Sequence, residues 1–141
     1  MALISSKGGP LLGSIEVPGD KSISHRALIL GALAIGETKI TGLLEGEDVL
    51  ATAAAMRQLG AIIERNQKDE SNIWTVSGRG VGGLREPAQI LEMGNSGTAA
   101  RLLLGLLATH GFETTMIGDK SLSSRPMERV MSPLRDIGCN F

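Results

Sequence analysis

The sequence predicts an α/β protein made of two successive βαβαββ units, the second of them incomplete. A hydrophobic content of 42% with 21% charged residues is typical of a globular protein. Apolar helical stretches alternate with short strand-like stretches along the chain. Similar strings also recur in the same order in the two halves, as in a duplicated unit. The matched strings are residues 31–34 with 105–108, 37–38 with 113–114, and 56–60 with 134–138.

The first unit begins with a strand over residues 13–17, where apolar and polar residues alternate before a Pro-Gly turn. A helix over residues 22–35 follows, and because it is apolar on nearly every side we expect it to be buried. Residues 37–43 read as a strand. The next helix begins at Glu47, with acidic residues in its first turn, and ends before Gly60.

Residues 61–64 and 73–77 are expected to form a hairpin with a long polar turn over residues 66–72. The stretch 78–83 is rich in glycine and without periodicity, so it is the best candidate for a boundary. The predicted divisions are an N-terminal segment over residues 1–12, a first repeat over residues 13–80 and a truncated second repeat over residues 81–141.

In the second repeat, strands are predicted over residues 89–93 and 113–117, and helices over residues 97–108 and 127–137. Pro133 lies inside the last helix, which predicts a kink or a later start. The second unit stops where the first continues into its last two strands, so we expect the sequence to end inside a repeat.

Composition and charge exclude several classes of function. A net charge of −1 gives no reason to expect nucleic acid or an anionic membrane as a partner. The longest apolar run, residues 27–35, is too short for a membrane span, and the first ten residues lack the apolar core of a secretory signal. We therefore expect a cytoplasmic protein. Cys139 is the single cysteine and reads as a small hydrophobe, while His25 and His110 lack metal-ligand spacing, so neither metal nor cofactor is expected.

Residues 94–101 form the first candidate anion-binding site. Asn95, Gly97 and Thr98 stand where the positive end of an apolar helix dipole would meet exposed backbone N–H groups. Such a helix start can bind a carboxylate or a phosphate. The alternative is an ordinary strand-to-helix turn.

A second candidate site lies at the start of the first helix. Lys21, Ser22 and Arg26 could take a phosphate with an ammonium, a hydroxyl and a guanidinium. Alternatively, Asp20 or Ser22 caps the helix and both cations are solvated. The spacing does not fit a Walker-type phosphate loop.

Arg125 is a third cation at a helix start, held extended because it precedes a proline, although a lone arginine there is usually solvated. Two sites of this kind predict one doubly anionic ligand or two anionic ligands. No pair of nucleophile and base stands out, so the residues indicate binding and not a reaction.

Together these stretches resemble the EPSP synthase (3-phosphoshikimate 1-carboxyvinyltransferase) family. The resemblance covers residues 13–138, and residues 36–49 are similar to its bacterial class II branch. It implies the enolpyruvyl transferase fold and transfer of the enolpyruvyl group of phosphoenolpyruvate to the 5-hydroxyl of shikimate 3-phosphate, with release of phosphate and without a metal. The residues that carry it are Gly19, Asp20, Lys21 and Ser22 with His25 and Arg26, then Gly94, Asn95, Gly97 and Thr98, and finally Arg125, Pro126 and Met127.

The resemblance also implies roles for residues. Lys21 resembles a catalytic lysine that touches both substrates, and Ser22 and Arg26 resemble shikimate 3-phosphate contacts. Asn95, Gly97 and Arg125 resemble phosphoenolpyruvate contacts.

The herbicide glyphosate occupies the phosphoenolpyruvate position in the family, and Gly97 should leave it room. Thr98 is expected to set the shape of the loop. Ser96 and Leu102 stand where many members carry alanine and proline, so glyphosate sensitivity stays open.

Members of the family are much longer, with two domains that close over the substrates. The resemblance is to their first part, and the residues credited with proton transfer belong to the remainder. We therefore expect this chain to be inactive alone and to be either a fragment of such an enzyme or one half of a split enzyme that a complementary C-terminal chain completes. Separately, unpaired edge strands near Phe141 favour association, so we expect a dimer or a partner chain.

Two other interpretations remain. One is a UDP-N-acetylglucosamine enolpyruvyl transferase, whose family carries a cysteine on a catalytic loop; Cys139 instead follows a helix-ending glycine and reads as strand. The other is a non-catalytic interaction module that retains the repeat and its anion sites.

Overall fold

The computed structural model describes residues 3–66 and 72–141 of the chain. Its elements in these two ranges are α1 (Lys21–Leu33), β1 (Ile35–Ile40), α2 (Glu47–Gln58), β2 (Ile62–Asn66), β3 (Ile73–Arg79), β4 (Leu91–Glu92), α3 (Gly97–Leu107), β5 (Met116–Ile117), α4 (Lys120–Ser123) and α5 (Glu128–Asp136). The α/β fold class is thereby confirmed.

A three-stranded sheet forms the first half, with β3 at its centre and antiparallel to both β1 and β2. Trp74 and Val76 alternate along β3 and are buried, which places the inner face of the sheet against the helices. Gly31 allows α1 to pack closely there, because a Cβ at this position would lie 3.2 Å from the Cβ of Val76. The indole N–H of Trp74 has a hydrogen-bond partner, because its Nε1 donates to the Glu45 carboxylate at 2.9 Å.

The second half contains a small βαβ unit, in which α3 connects the parallel strands β4 and β5. Both strands have only two residues. The buried side of α3 joins the core formed by the first half, and one hydrophobic cluster contains Leu28, Val49, Met56, Leu59, Leu91, Met93, Ala99 and Leu103. The two matched halves therefore share a core.

The ends of α2 and α5 have the same geometry. Gly60 and Gly138 follow these helices with φ angles of +104° and +99°, which favour glycine. The N–H of Gly60 donates to Arg57 and that of Ala61 to Met56; at α5, Gly138 donates to Arg135 and Cys139 to Leu134. These are equivalent bonds at the positions that the sequence match pairs, and they form the same glycine-ended helix cap.

The predicted strand over residues 13–17 does not form. Ile15 and Val17 are 89% and 72% exposed, and within residues 3–66 and 72–141 no strand pairs with this segment. Alternation favours a strand, but a strand also needs a neighbour for its backbone groups. The first unit therefore lacks the strand that corresponds to β4.

Other element bounds also differ from expectation. The predicted strand 37–43 is replaced by β1, which ends at Ile40, and α1 is buried on one face only, with Ile23 and Leu30 more than 60% exposed. The last helix starts one residue late, at Glu128, and contains Pro133. No strand forms at Cys139, and most of the predicted turn over residues 66–72 lies outside the described residues.

Helix α4 was not predicted. Its signal is present in the sequence, because Asp119 precedes it and accepts a hydrogen bond from the N–H of Leu122 at 2.7 Å, as an N-cap aspartate does.

Among the described residues, none of the helices is both long and apolar enough to cross a membrane.

The glycine-rich stretch over residues 78–83 begins inside β3 and is packed at its start. A Cβ at Gly78 would collide with the carbonyl oxygens of Ala34 and Gly31 at the end of α1, and the N–H of Gly80 donates to Ala34 at 3.1 Å. Gly78 therefore belongs to β3 and determines how closely that strand approaches α1.

Replacing Gly78 with alanine should lower the free energy of unfolding by about 1–3 kcal/mol, because backbone must move to accept the methyl group. Gly105→Ala is the matched control. It lies in α3 with nothing within 4 Å of an added Cβ, so it should raise the free energy of unfolding by about 0.5–1 kcal/mol. Urea unfolding of both variants tests this, and equal effects would contradict it.

Candidate anion-binding site

The start of α1 is capped by its own sequence. Asp20 accepts a hydrogen bond from the N–H of Ile23 at 2.8 Å, which confirms the capping alternative for Asp20. A carboxylate therefore already occupies the positive end of this helix. Gly19 brings the preceding backbone close to the loop at Gly42, because a Cβ there would collide with the Gly42 carbonyl oxygen.

The three candidate residues of α1 are exposed at this start. Lys21 Nζ lies 3.1 Å from Asp48 Oδ2, in an ion pair that leaves the lysine side chain 53% exposed. Arg26 donates to the carbonyl oxygen of Ser22 at 3.0 Å, which directs its guanidinium back toward the helix start. An anion here would bind to side chains, because the Asp20 carboxylate already caps the helix.

A second contact joins α1 to α2 one turn deeper. His25 Nδ1 and Thr52 Oγ1 are 2.7 Å apart and fully buried. The Thr52 hydroxyl also donates to the Asp48 carbonyl at 3.4 Å, an arrangement that suits a His25 ring with its proton on Nδ1. Burial lowers the pKa of His25, against the attraction of Asp48 and together with the repulsion of Lys21 and Arg26.

The start of α3 also uses its own amides. Ser96 Oγ accepts from the N–H of Ala99 at 3.2 Å, and the N–H of Gly97 donates to the carbonyl oxygen of Asn95 at 3.0 Å. The Gly97 amide, which the sequence assigns to an anion, therefore has a partner within the chain. A local turn satisfies this donor, as the alternative of a strand-to-helix turn implied.

Gly97 instead leaves space for two guanidinium groups. A Cβ at this position would lie 2.8 Å from Nη1 of Arg101 and 3.0 Å from Nη1 of Arg125. Arg101 donates to the carbonyl oxygens of Gly97 and Pro126, each at 3.2 Å, and thereby ties the first turn of α3 to the segment before α5. The guanidinium groups of Arg101 and Arg125 thus converge on Gly97, where the absence of a side chain leaves them room.

Arg125 is held in this position by Asn95 and Ser121. It donates to the carbonyl oxygen of Asn95 at 3.3 Å, to the Asn95 side-chain oxygen, and to Ser121 Oγ at 3.3 Å. Asn95 in turn donates to Asp119 at 2.7 Å. The Asn95 hydrogen bond, the Leu122 amide and the charge of Arg125 all lower the pKa of Asp119, so this carboxylate stays ionised and fixes the asparagine.

The candidate residues therefore form two groups. Asn95, Gly97 and Arg125 are in direct contact, whereas Lys21 contacts Asp48. Within the described ranges, no hydrogen bond or ion pair joins one group to the other. A groove of about 770 Å³ lies elsewhere, around Leu104, Phe112 and Phe141, and none of the predicted site residues line it.

Sequence reasoning missed three polar residues of these groups. Asp48 was read only as a first-turn acid, and its pairing with Lys21 depends on how α1 meets α2. Arg101 belongs to the 94–101 motif but received no role. Asp119 carried a detectable N-cap signal. In the described part of the chain, no cluster of three or more His, Cys, Asp or Glu could hold a metal ion.

Comparison with known proteins defines the class. The family model of EPSP synthase (3-phosphoshikimate 1-carboxyvinyltransferase) matches residues 5–141, so this chain belongs to the EPSP synthase family. It is similar to an EPSP synthase from Acinetobacter baumannii of known structure, with a TM-score of 0.83 and 51% identity over 91% of this chain and 28% of that one. The fold is thus a part of the EPSP synthase fold.

Two relatives are named 3-phosphoshikimate 1-carboxyvinyltransferase. The relative from Novosphingobium aromaticivorans is 64% identical over 133 residues, covering 94% of this chain and 30% of its own length. The relative from Paramagnetospirillum magneticum is 63% identical over 139 residues, covering 99% of this chain and 30% of its own length. The chain therefore spans about 30% of the length of the relatives it matches.

The lowered pKa of His25 predicts acid sensitivity. Above about pH 6.5, the usual histidine pKa, both states hold a neutral ring; below it the unfolded chain binds a proton that the folded chain does not. The free energy of unfolding should therefore fall as the pH drops below 6.5, until the pKa of the folded state is reached. Urea unfolding at pH 7.5 and 5.5 measures this. His25→Gln should reduce the fall, and His110→Gln, the control, should retain it.

Proposed function

We propose that this chain is the N-terminal part of an enzyme that transfers the enolpyruvyl group of phosphoenolpyruvate to the 5-hydroxyl of shikimate 3-phosphate, releasing phosphate. The observation that carries the proposal is the convergence of Arg101 and Arg125 over Gly97. Membership of the EPSP synthase family supports the choice of reaction. The names of the relatives favour this reaction over transfer to a sugar nucleotide.

Phosphoenolpyruvate is assigned to the group around Gly97. A guanidinium carries five N–H donors in a planar fork that suits carboxylate and phosphate oxygens. The hydrogen bonds of Arg125 to Asn95 and Ser121 fix this fork from one side. Its remaining donors are then available to the ligand, and Gly97 leaves the space in which the guanidinium groups of Arg101 and Arg125 converge.

Shikimate 3-phosphate is assigned to Ser22 and Arg26, with Lys21 contacting both substrates. These three side chains are exposed along the first turns of α1. The hydroxyl of Ser22 can donate to a phosphate oxygen, and Arg26 supplies a fixed positive charge. The catalytic role of Lys21 would be to stabilise charge on the reacting groups from a position between the two ligands.

Both substrates are multiply anionic, so bringing them together is opposed by their mutual repulsion. The cations of the two groups offset that repulsion and also the charge of a tetrahedral intermediate. In this proposal, the groups that move protons belong to the remainder of the enzyme. The chain alone would then be inactive.

The remainder is proposed to be the C-terminal part of the enzyme, supplied by a complementary chain where it is not joined to this one, and self-association is proposed as a separate property. Apolar side chains in the extended N-terminal part support a missing partner surface, since Leu11, Leu12 and Ile15 are about nine-tenths exposed or more. We also propose that the first repeat ends at residue 80 and the second begins at residue 81. Glyphosate is proposed to compete with phosphoenolpyruvate for the residues around Gly97. The enzyme is proposed to act in the cytoplasm.

Phosphate release from the two substrates tests the proposed activity. The chain alone should release none, and a mixture with a polypeptide covering the rest of the family's length should release phosphate only when both substrates are present. A mixture that stays inactive, with the added polypeptide shown to be folded, would favour a non-catalytic interaction module.

Arg125→Lys should lower kcat/KM for phosphoenolpyruvate about 10- to 100-fold in the active mixture. Lysine keeps the charge but loses the planar fork that Asn95 and Ser121 hold. Arg129→Lys is the matched control, because Arg129 is exposed in the neighbouring helix α5. Equal kinetics of the two variants would remove Arg125 from the site.

A further inference from the structure

An acidic residue lies beside the lysine assigned to both anionic substrates. The carboxylate of Asp48 is 3.1 Å from the ammonium of Lys21, where it should weaken the binding of any anion. We propose that Asp48 is a positioning residue that holds the Lys21 ammonium in its reactive place. This inference rests on the proposed function and assigns to α2 a part in the reaction.

The two helices present matched pairs of residues. Lys21 and His25 are four residues apart on α1, and Asp48 and Thr52 are four residues apart on α2, so each pair lies on one helix face. The His25–Thr52 contact of 2.7 Å is fully buried and fixes the register of the helices. The Lys21–Asp48 contact is therefore the outer member of a two-contact clamp.

The position of Asp48 in α2 holds it beside Lys21. It lies in the first turn of α2, where the helix dipole favours a carboxylate, and its side chain is 28% exposed. Its backbone carbonyl accepts the Thr52 hydroxyl at 3.4 Å, which ties it to the buried contact. The Asp48 backbone is therefore anchored to the buried contact between His25 and Thr52.

The geometry leaves Lys21 able to serve ligands. An ammonium has three donors, and Asp48 is its one hydrogen bond partner among the described residues. A lysine side chain is long and flexible, so fixing it before the substrates arrive lowers the ordering cost of the reactive complex. Two N–H groups then remain for two anions.

Neutralising Asp48 should have two opposite effects, one on substrate binding and one on the rate of the reaction. Removing the carboxylate makes the site more positive, so ground-state binding of anions should strengthen. The freed ammonium should at the same time lose its alignment, and misplacement of a reactive group by about 1 Å can cost on the order of 100-fold in rate. A purely structural role would not combine a lower kcat with a lower KM.

The test compares three variants in the active mixture of this chain with the rest of the enzyme. Asp48→Asn removes the charge, Asp48→Glu keeps it on a longer side chain, and Glu47→Gln is the control. Glu47 lies in the same first turn of α2, is exposed, and has no ion pair in the described part of the chain. Phosphate release gives kcat and KM. Relaxation of the ¹⁵N signal of the Lys21 ammonium group in NMR measures how strongly that group is immobilised.

For Asp48→Asn, kcat should fall at least 10-fold, KM for phosphoenolpyruvate should also fall, and the Lys21 ammonium should become less ordered. Asp48→Glu should recover part of kcat. Glu47→Gln should match the wild-type protein in kcat, in KM and in the NMR order of the Lys21 ammonium. Identical kinetics for Asp48→Asn and Glu47→Gln, or a rise in KM with the fall in kcat, would overturn the inference.

Failure of the proposed function has a different result. If the wild-type mixture turns over neither substrate, with the added polypeptide shown to be folded, the assigned reaction is wrong and the positioning role of Asp48 is wrong with it. If the unvaried mixture is active and Asp48→Asn is equally active, only the role of Asp48 is overturned.

Discussion

The buried contact between His25 and Thr52 determines how the first two helices lie against each other, and the N-terminal cations depend on it. It is a hydrogen bond of 2.7 Å between two fully buried polar groups, so breaking it would leave an unsatisfied donor inside the core. Gly31 lets the same helix pack closely on β3. Once α1 is fixed in this way, the positions of Lys21 and Arg26 on its exposed side are fixed as well.

The structure places side-chain cations, and not open helix starts, at both candidate anion sites. Asp20 and Ser96 cap α1 and α3 with their own oxygens, and Gly97 closes a turn with its amide. The positive charge then comes from Lys21 and from the arginines around Gly97. Because hydrogen bonds hold these arginines to Asn95, Gly97 and Pro126, they are ordered before any ligand arrives.

Sequence patterns predicted the helices well and the strands less well, for a physical reason. A helix such as α2 satisfies its own backbone and carries its start and stop signals at Glu47 and Gly60. A strand needs a partner that may be distant in sequence, so residues 13–17 stay extended despite their alternation. The candidate site residues also differ in how far local sequence predicts them. The motif residues were recognisable, whereas Asp48 and Arg101 acquire their roles only through tertiary contacts that no local pattern contains.

The same helix cap ends α2 and α5, and this has a consequence for how a repeat protein can lengthen by gene duplication. In both places a glycine with φ near +100° turns the backbone out of the helix with the same pair of hydrogen bonds. The chain therefore leaves α2 and α5 by the same local turn. Duplication of a gene segment can then add a unit without redesigning the junction, because the exit geometry is encoded within each copy.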